Sequence, residues 1–284
     1  MTTLVQVTDL SKQYHSVMAV KDISFELRGG QVLGLLGHNG AGKSSLIGAL
    51  LGALSCQGDI QVCGLNPLNQ HAQLMQHLAY ISDVNILPQW MTVAQILRYS
   101  SGVHPSFNIH KAKQLLGSTQ IALSTKINSL SKGMKVQLHL SMVMATDTKV
   151  LILDEPTLGL DLIYRETFYR QLSEWLEGGE RTLIIASHEV SEIAHLLTDI
   201  LILKQGESLL QGNLDSIMND YFIIDAVHQQ QSIIEQFSPI GSQVGLGSSK
   251  WLLKSQYRLQ AESLGVIMNP TLQDIFIALQ KGEA

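Results

Sequence analysis

Cysteine is scarce in this chain. Its 284 residues include two, Cys56 and Cys63. In a chain of this length without a secretory signal, we expect both to be free thiols rather than a disulfide. Two thiols with no cluster of histidines beside them do not form a zinc site. The sequence therefore argues against a disulfide-stabilised scaffold and against a cysteine-based zinc module.

Long apolar stretches and an excess of basic charge are also missing. The apolar runs, such as residues 150–153 and 200–203, span a few positions, whereas a membrane-spanning helix needs about 20. The N-terminal residues 1–6 lack the basic region and apolar stretch of a targeting signal. The formal net charge of -5 argues against nucleic acid as the main partner. If the chain serves a membrane, we expect it to do so through a partner.

Apolar residues are plentiful enough for a folded core. Hydrophobic residues make up 45% of the chain and charged residues 15%, which excludes a disordered protein. Residues 4–36 alternate apolar and polar side chains, and this pattern predicts strands and hairpins. Apolar strands predicted at 150–153 and 182–186 flank a helix predicted at 163–176. This order predicts an α/β fold with a mainly parallel sheet covered by helices.

The chain divides by composition into a large N-terminal part and a small C-terminal part. We predict one domain over residues 1–212, with a helical subdomain at about 84–148 in which apolar side chains recur at helical spacing. The predicted buried face of one of its helices carries Val136, Leu140, Val143 and Met144. Residues 213–284 are richer in Gln and Ser, and we predict that they form a small C-terminal α+β subdomain.

Within the C-terminal part, strands are predicted at 221–227 and 251–254, a turn region at 239–249 and a final helix at 272–280. The sequence shows no internal repeat. A single copy of the large domain is therefore expected.

A glycine-rich string follows an apolar strand predicted at 32–36 and precedes a helix predicted at about 43–54. It fits the pattern G-x-x-x-x-G-K-S/T. Glycines let the backbone bring its N–H groups close to phosphates, and the positive end of the helix adds to the attraction. Lys43 is expected to reach the β- and γ-phosphates, and the Ser44 hydroxyl to bind Mg²⁺. The predicted nucleotide-binding residues of this loop are Gly37, His38, Asn39, Gly40, Ala41, Gly42, Lys43, Ser44 and Ser45.

Two acidic residues, Asp154 and Glu155, follow the apolar strand predicted at 150–153. A buried strand of such a sheet delivers its last residues to the edge where ligands bind. Asp154 is expected to hold Mg²⁺, directly or through water. Glu155 is expected to orient and polarise the attacking water. With the glycine-rich loop, this pair predicts a nucleoside triphosphatase.

From about residue 4 to 212 the chain resembles the ABC ATPase family. Leu130-Ser131-Lys132-Gly133-Met134 is similar to the family's signature motif, which is usually Leu-Ser-Gly-Gly-Gln. The resemblance implies that Ser131 and Gly133 contact the γ-phosphate of ATP held by a second subunit. Taken alone, Ser131 and Gly133 are more typical of an ordinary helix cap.

Other residues match the family in order and spacing. The resemblance implies that Tyr14 stacks on adenine and that His188, after the strand predicted at 182–186, is the catalytic switch histidine. Residues 157–161 resemble the loop that contacts the second subunit. The catalytic residues implied are therefore Lys43, Glu155 and His188.

Two departures from the family pattern stand out. Asp83 occupies the position where the family usually has Gln at the end of a strand; a carboxylate can still bind Mg²⁺ or its waters, but it does not donate as an amide does. Lys132 and Met134 alter the signature. Both features, and a C-terminal segment at 269–279, are similar to single-domain ATPases of ABC-2 type exporters. The metal-binding residues implied are Ser44, Asp83 and Asp154.

The resemblance implies a P-loop fold: a RecA-like core with an antiparallel β subdomain, a helical subdomain and the C-terminal addition. It implies ATP and Mg²⁺ as cofactors and a head-to-tail dimer with a second copy or homologue. It also implies membrane-spanning partner subunits that hold the chain at the cytoplasmic face, through a groove beneath residues 83–100.

Three alternatives remain open at this point. A soluble ABC ATPase acting on ribosomes or DNA usually has two nucleotide domains or a long coiled coil. A P-loop kinase leaves Ser131, Gly133 and His188 unexplained. Intact Glu155 and His188 argue against a degenerate regulatory subunit, whereas Asp83 and Lys132 favour it.

Overall fold

The computed structural model describes residues 2–82, 87–158 and 160–281. Its strands are β1 (Thr3–Tyr14), β2 (Val17–Arg28), β3 (Val32–Leu36), β4 (Gln57–Val62), β5 (Leu78–Ser82), β6 (Val150–Asp154), β7 (Thr182–Ser187), β8 (Asp199–Lys204), β9 (Glu207–Asn213), β10 (Tyr221–Val227), β11 (Gly241–Val244), β12 (Ser248–Lys254) and β13 (Val266–Met268). Its α-helices are α1 (Lys43–Leu50), α2 (His71–Leu74), α3 (Val93–Val103), α4 (Ile109–Gly117), α5 (Lys132–Met144), α6 (Leu162–Leu176), α7 (Val190–Ile193), α8 (Leu214–Asn219), α9 (Gln231–Ile234), α10 (Arg258–Ala261) and α11 (Leu272–Lys281). Short 3₁₀ helices lie at Ile127–Ser129, Ala194–Leu196, His228–Gln230, Glu235–Phe237 and Ser255–Tyr257.

The described residues form two compact units. The first unit lies within Met1–Val32 and Lys43–Ala186, and the second within Leu33–Gly42 and Ser187–Ala284. The glycine-rich string of the sequence therefore begins in the second unit and ends in the first. The boundary at residue 212 that we drew from composition stays a prediction.

An antiparallel sheet of the first unit has the strand order β2-β1-β4. Buried and exposed residues alternate over positions 23–28 of β2, which is the period-2 pattern read from the sequence. The alternation is less regular in β1. Asp9 and Asp22 adopt positive φ, close to shifts in the β1–β2 register between Val7 and Leu10 and between Leu10 and Lys12.

The first unit also holds parallel strands in the order β5-β6-β7. Strand β6 is buried except at its last residue, and β7 is buried throughout. Asp154 lies opposite Ser82 on one side and Ala186 on the other. The carboxyl ends of these strands therefore meet at one edge, and Asp154 lies on it.

The helical part of the first unit is bounded by side-chain caps. Thr92 and Gln95 form a capping box at the start of α3, and Asn108 caps α4. A core of buried apolar side chains includes Val93, Leu97 and Leu138. The helix face predicted from residues 136–144 is buried as expected, with Val136, Leu140, Val143 and Met144 each under one-tenth exposed.

The second unit contains a parallel pair, β3 and β8, and an antiparallel pair, β8 and β9. It also contains a separate antiparallel sheet with the order β11-β12-β10-β13. That sheet covers a core that includes Phe222, Ile224 and Trp251. Helix α11 buries Leu272, Ile275, Phe276 and Ala278.

Two boundaries differ from the sequence-based expectation. The turn region predicted at 239–249 contains β11 and the start of β12; β11 is a mostly exposed edge strand, so it lacks the apolar alternation that would reveal it. Helix α1 ends at Leu50 rather than near 54. Gly52 follows with φ of 68°, and a Cβ there would lie 2.2 Å from the Pro67 carbonyl oxygen.

Candidate functional site

The glycine-rich loop leaves the buried strand β3 at Gly37. A Cβ on Gly37 would lie 2.8 Å from the carbonyl oxygen of Leu203 in β8, so close packing requires glycine here. Gly42 has a φ of 111°, a conformation that side chains disfavour. The backbone N–H of Gly206 donates to the Ala41 carbonyl at 3.0 Å. The loop is thus fixed at both its ends.

The outer part of this loop is open. His38, Asn39 and Gly40 are exposed, whereas Gly37 and Ala41 are buried. The backbone N–H of Ala41 donates to the His38 carbonyl at 3.1 Å, which closes a tight turn. A loop with buried anchors and an exposed arch suits an anion that approaches from outside.

Lys43 is the first residue of α1, and 7% of its surface is exposed. Burial lowers the pKa of Lys43, and the charges of Glu155 and Asp154 act in the opposite direction. In the structure, Lys43 therefore lies close enough to the two acids for their charges to act on it. The sequence had assigned these residues to two separate motifs. Ser44, the next residue, is exposed and Ser45 is half-buried.

Asp154 has a neighbour that the sequence analysis did not assign to the site. The Tyr80 hydroxyl donates to Asp154 Oδ2 at 3.3 Å. Tyr80 lies in β5, opposite Ile152 of β6, so its side chain is on the same face as that of Asp154. The only sequence signal was a hydroxyl-bearing aromatic residue near the end of an otherwise apolar strand.

Glu155 adopts a left-handed backbone conformation with φ of 49°. Such a conformation costs a non-glycine residue about 1–3 kcal/mol. The Glu155 N–H donates to the Ala186 carbonyl at 3.0 Å, and Pro156 and Thr157 after it are buried. The backbone thereby turns sharply at Glu155 directly after β6.

His188 lies in the second unit, directly after β7. The hydroxyl of Ser187 accepts from the Glu189 N–H at 3.0 Å. The His188 Nε2 atom is 4.0 Å from Glu189 Oε1. This turn leaves the imidazole of His188 partly exposed at the carboxyl end of a strand, as expected for a residue that meets a ligand.

Ser131 and Gly133 lie at the start of α5. The Ser131 hydroxyl accepts from the Met134 N–H at 3.2 Å, so it caps the helix. A Cβ on Gly133 would lie 3.1 Å from the Tyr164 ring. Asp161 caps α6 by accepting from the Tyr164 N–H at 3.0 Å. The capping role is thus observed, and the phosphate-contacting role stays a prediction.

Tyr14 ends β1 with two-fifths of its surface exposed. The Lys12 Nζ atom lies 4.9 Å from the centre of its ring, a distance typical of a cation–π contact. The ring is therefore steadied by a cation on the same strand. Its stacking on adenine stays a prediction.

The predicted metal-binding residues are only partly described. Asp83, and Gly159 of the loop at 157–161, lie outside the described residues. In the described part, no group of three or more His, Cys, Asp or Glu side chains could hold a metal ion. Mg²⁺ commonly binds one or two carboxylates together with substrate phosphates. The hydroxyl of Ser44 and the carboxylate of Asp154 are hard oxygen ligands of that kind.

A cavity of about 460 Å³ opens in the first unit. It is lined by residues that include Tyr80, Met142, His71, His104 and His139. Among the described lining residues there is no Asp, Glu, Lys or Arg. Burial lowers the pKa of His139 to about 4, so that imidazole is neutral near pH 7. The cavity is thus an uncharged, mostly apolar concave surface.

None of the helices in residues 2–82, 87–158 and 160–281 is both long and apolar enough to cross a bilayer.

Comparisons with known proteins point in one direction. Residues 20–158 match the family model described as ABC transporter. The chain is similar to the bacitracin transport ATP-binding protein BcrA of Bacillus licheniformis, with 30% identity over 76% of this chain and 72% of that protein. It is also similar to the Nod factor export ATP-binding protein I of Rhizobium etli, with 26% identity over 98% of this chain and 93% of that protein.

A solved structure gives the same result. The ATP-binding subunit of an ABC transporter superposes with a TM-score of 0.70 and 25% identity, covering 75% of this chain and 91% of the other.

Proposed function

The chain belongs to the ABC transporter family as an ATP-binding, ATP-hydrolysing subunit, and we propose that Lys43, Glu155 and His188 perform its hydrolysis. The fold class and the ATPase activity expected from the sequence are confirmed. The residue assignment is supported by the charges of Glu155 and Asp154, which raise the pKa of the buried Lys43 against the lowering effect of burial. This interaction relates the two acids to the lysine of the glycine-rich loop.

In the proposed reaction, water attacks the γ-phosphorus of ATP and ADP departs with the bridging oxygen. Lys43 binds the β- and γ-phosphates and offsets their negative charge. Glu155, positioned by its left-handed backbone, orients and polarises the water. His188, at the end of β7, donates a hydrogen bond toward the γ-phosphate. Tyr14 stacks on the adenine.

Ser44, Asp154 and Asp83 are the proposed ligands of Mg²⁺. When bound, the ion would neutralise charge on the β- and γ-phosphates. The support is the chemistry of these oxygen ligands and the hydrogen bond from Tyr80, which fixes one oxygen of Asp154.

The proposed active form is a head-to-tail dimer of two copies, or of this chain and a homologue. Ser131 and Gly133 at the start of α5 would meet the γ-phosphate bound by the other subunit. Backbone N–H groups and a hydroxyl at the start of a 13-residue helix suit an anion. ATP binding would close this dimer, and hydrolysis would open it.

The proposed partner is a membrane-spanning subunit, which keeps this chain at the cytoplasmic face. The uncharged cavity beside α5 is the proposed docking site for an apolar segment of that subunit. The absence of Asp, Glu, Lys and Arg from its described lining favours an uncharged occupant. Export is the proposed direction, because the transport system named for one similar protein exports Nod factor.

The test of this proposal is Glu155→Gln, which keeps the side chain's size but removes its charge. ATP hydrolysis should fall by about 10²–10⁴-fold, as is usual when a catalytic base is lost, while ATP binding is retained. Glu174→Gln on the exposed side of α6 is the matched control. The assignment fails if both variants hydrolyse ATP at the wild-type rate in the presence of the membrane partner.

A further inference from the structure

An aromatic contact joins the phosphate loop to the C-terminal helix. The rings of His38 and Phe276 have centroids 5.6 Å apart and are inclined by 52°. This is a favourable separation for two aromatic rings. His38 is exposed in the open arch of the loop, whereas Phe276 is buried on α11. Both residues belong to the second unit.

Helix α11 is held in place independently of this contact. The Gln280 Nε2 atom donates to the Leu203 carbonyl oxygen at 2.9 Å. A Cβ on Gly241 would lie 2.8 Å from the Cβ of Ala278, so the helix packs closely on β11. Phe276 is therefore presented to the loop by a rigid support.

The Leu203 carbonyl oxygen that accepts from Gln280 also packs closely against the start of the glycine-rich loop. It is the atom that a side chain at Gly37 would approach to 2.8 Å. Helix α11 thus contacts the loop directly at His38 and contacts its backing strand at Leu203. One contact is thus made at the start of the turn that the Ala41 N–H closes on the His38 carbonyl, and the other at the strand behind the loop.

We propose that Phe276 is a positioning residue for nucleotide binding, through which the C-terminal helix holds the phosphate loop in its binding conformation. The loop is rich in glycine, so ordering it on binding costs conformational entropy. A contact that restricts the loop beforehand reduces that cost and raises affinity. Phe276 acts through His38 and has no part in the chemical step.

This proposal rests on the proposed function only for the identity of the ligand. The expected effect is on the Kd and KM for ATP, with kcat unchanged. Phe276→Leu should raise the Kd for ATP, measured by calorimetry, about two- to tenfold, the range expected for one aromatic pair. Phe276→Tyr should bind ATP with the wild-type affinity because it retains the ring.

A double-mutant cycle makes the test specific. His38→Ala at its exposed position should raise the Kd similarly, and the His38→Ala/Phe276→Leu double variant should bind no more weakly than the weaker single variant. Leu272→Ala, a buried change at the other end of α11, is the control for lost stability. Thermal unfolding of all variants compares their folding.

Three results would each overturn the proposal. They are additive effects in the cycle, an unchanged Kd for ATP in His38→Ala, and a loss of affinity in Leu272→Ala equal to that in Phe276→Leu. If Phe276→Leu does not fold, His38→Ala still keeps the proposal falsifiable, since an unchanged Kd for ATP in that variant refutes it. Failure of the proposed function is distinct: the wild-type chain would then bind no ATP, or Glu155→Gln would hydrolyse it normally.

Discussion

The Tyr80 hydroxyl donates a hydrogen bond to Asp154, with 3.3 Å between Oη and Oδ2. Tyr80 also lines the uncharged cavity beside α5. One side chain therefore contacts both the proposed metal-binding acid and the proposed docking site of the membrane subunit. It offers a direct physical link between the two.

Tyr80→Phe removes the hydroxyl and keeps the ring. A hydrogen bond to a charged group contributes about 1.5–3 kcal/mol when it is fully buried. Because Asp154 is half-buried, we expect a smaller loss, with kcat decreasing about three- to tenfold. The Mg²⁺ concentration for half-maximal ATPase activity should rise. Tyr99→Phe, at an exposed tyrosine of α3, is the control; equal behaviour of the two variants would rule out the positioning role.

Met142→Glu places a charge in the cavity. Since the occupant is expected to be apolar, burying this carboxylate against it is costly. We predict that stimulation of ATPase activity by the membrane partner is lost while basal activity remains. Met142→Leu keeps an apolar side chain and should behave as wild type. Full stimulation of the Met142→Glu variant would place the docking site elsewhere.

Tyr14→Ala tests the adenine contact. Base–aromatic stacking contributes about 1–3 kcal/mol, so the Kd for ATP should rise about tenfold, with little change in kcat. Tyr14→Phe keeps the ring and should bind ATP as the wild type does. If both variants bind ATP with unchanged affinity, the ring serves only its contact with Lys12.

The proposed dimer is tested in the Glu155→Gln background, where hydrolysis should be blocked. This variant should accumulate as a closed dimer with ATP and as a monomer with ADP, measured by size-exclusion chromatography in the presence of the membrane partner. Ser131→Arg should abolish the ATP-dependent dimer, because it places bulk and charge against the γ-phosphate site. Ser118→Arg, outside the signature, is the control. A dimer that persists with Ser131→Arg contradicts the head-to-tail arrangement.

His139 should make the first unit sensitive to acid. Burial lowers its pKa from an ordinary value near 6.5 to about 4, so between these pH values the unfolded chain binds a proton that the folded chain does not. The free energy of unfolding should therefore fall as the pH is lowered from 6.5 toward 4, by up to about 3 kcal/mol. His104 also lines the cavity, and burial lowers its pKa as well. It should therefore also decrease the free energy of unfolding as the pH is lowered. His71 is the third imidazole that lines the cavity.

Urea unfolding at several pH values measures this effect. His139→Gln should be less stable than wild type at pH 7 but should lose less stability between pH 6.5 and 4. His110→Gln, at an exposed position of α4, should retain the wild-type pH dependence. Parallel curves for wild type and His139→Gln would show that His139 does not carry the acid sensitivity.

The sequence by itself determined the parts of this protein that depend on short-range chemistry. The glycine-rich loop, the acids after β6 and the helix start at Ser131 each follow from residues close together in the chain. Backbone N–H groups at a helix start must be capped locally, and a loop that wraps a phosphate needs glycine at fixed spacing. The buried strands β6 and β7 were likewise predicted, because two short apolar runs flank a segment with helical periodicity, which is the order expected of a parallel sheet.

Tertiary structure alone decided which distant residues meet. Nothing near Tyr80 in the sequence indicates Asp154, and nothing near His38 indicates Phe276, because both contacts depend on strand register and on where a helix packs. The edge strand β11 was hidden for a related reason: an exposed strand pairs through its backbone, and its side chains carry no apolar pattern. Backbone pairing and long-range packing are set by the whole fold, so the local sequence does not record them.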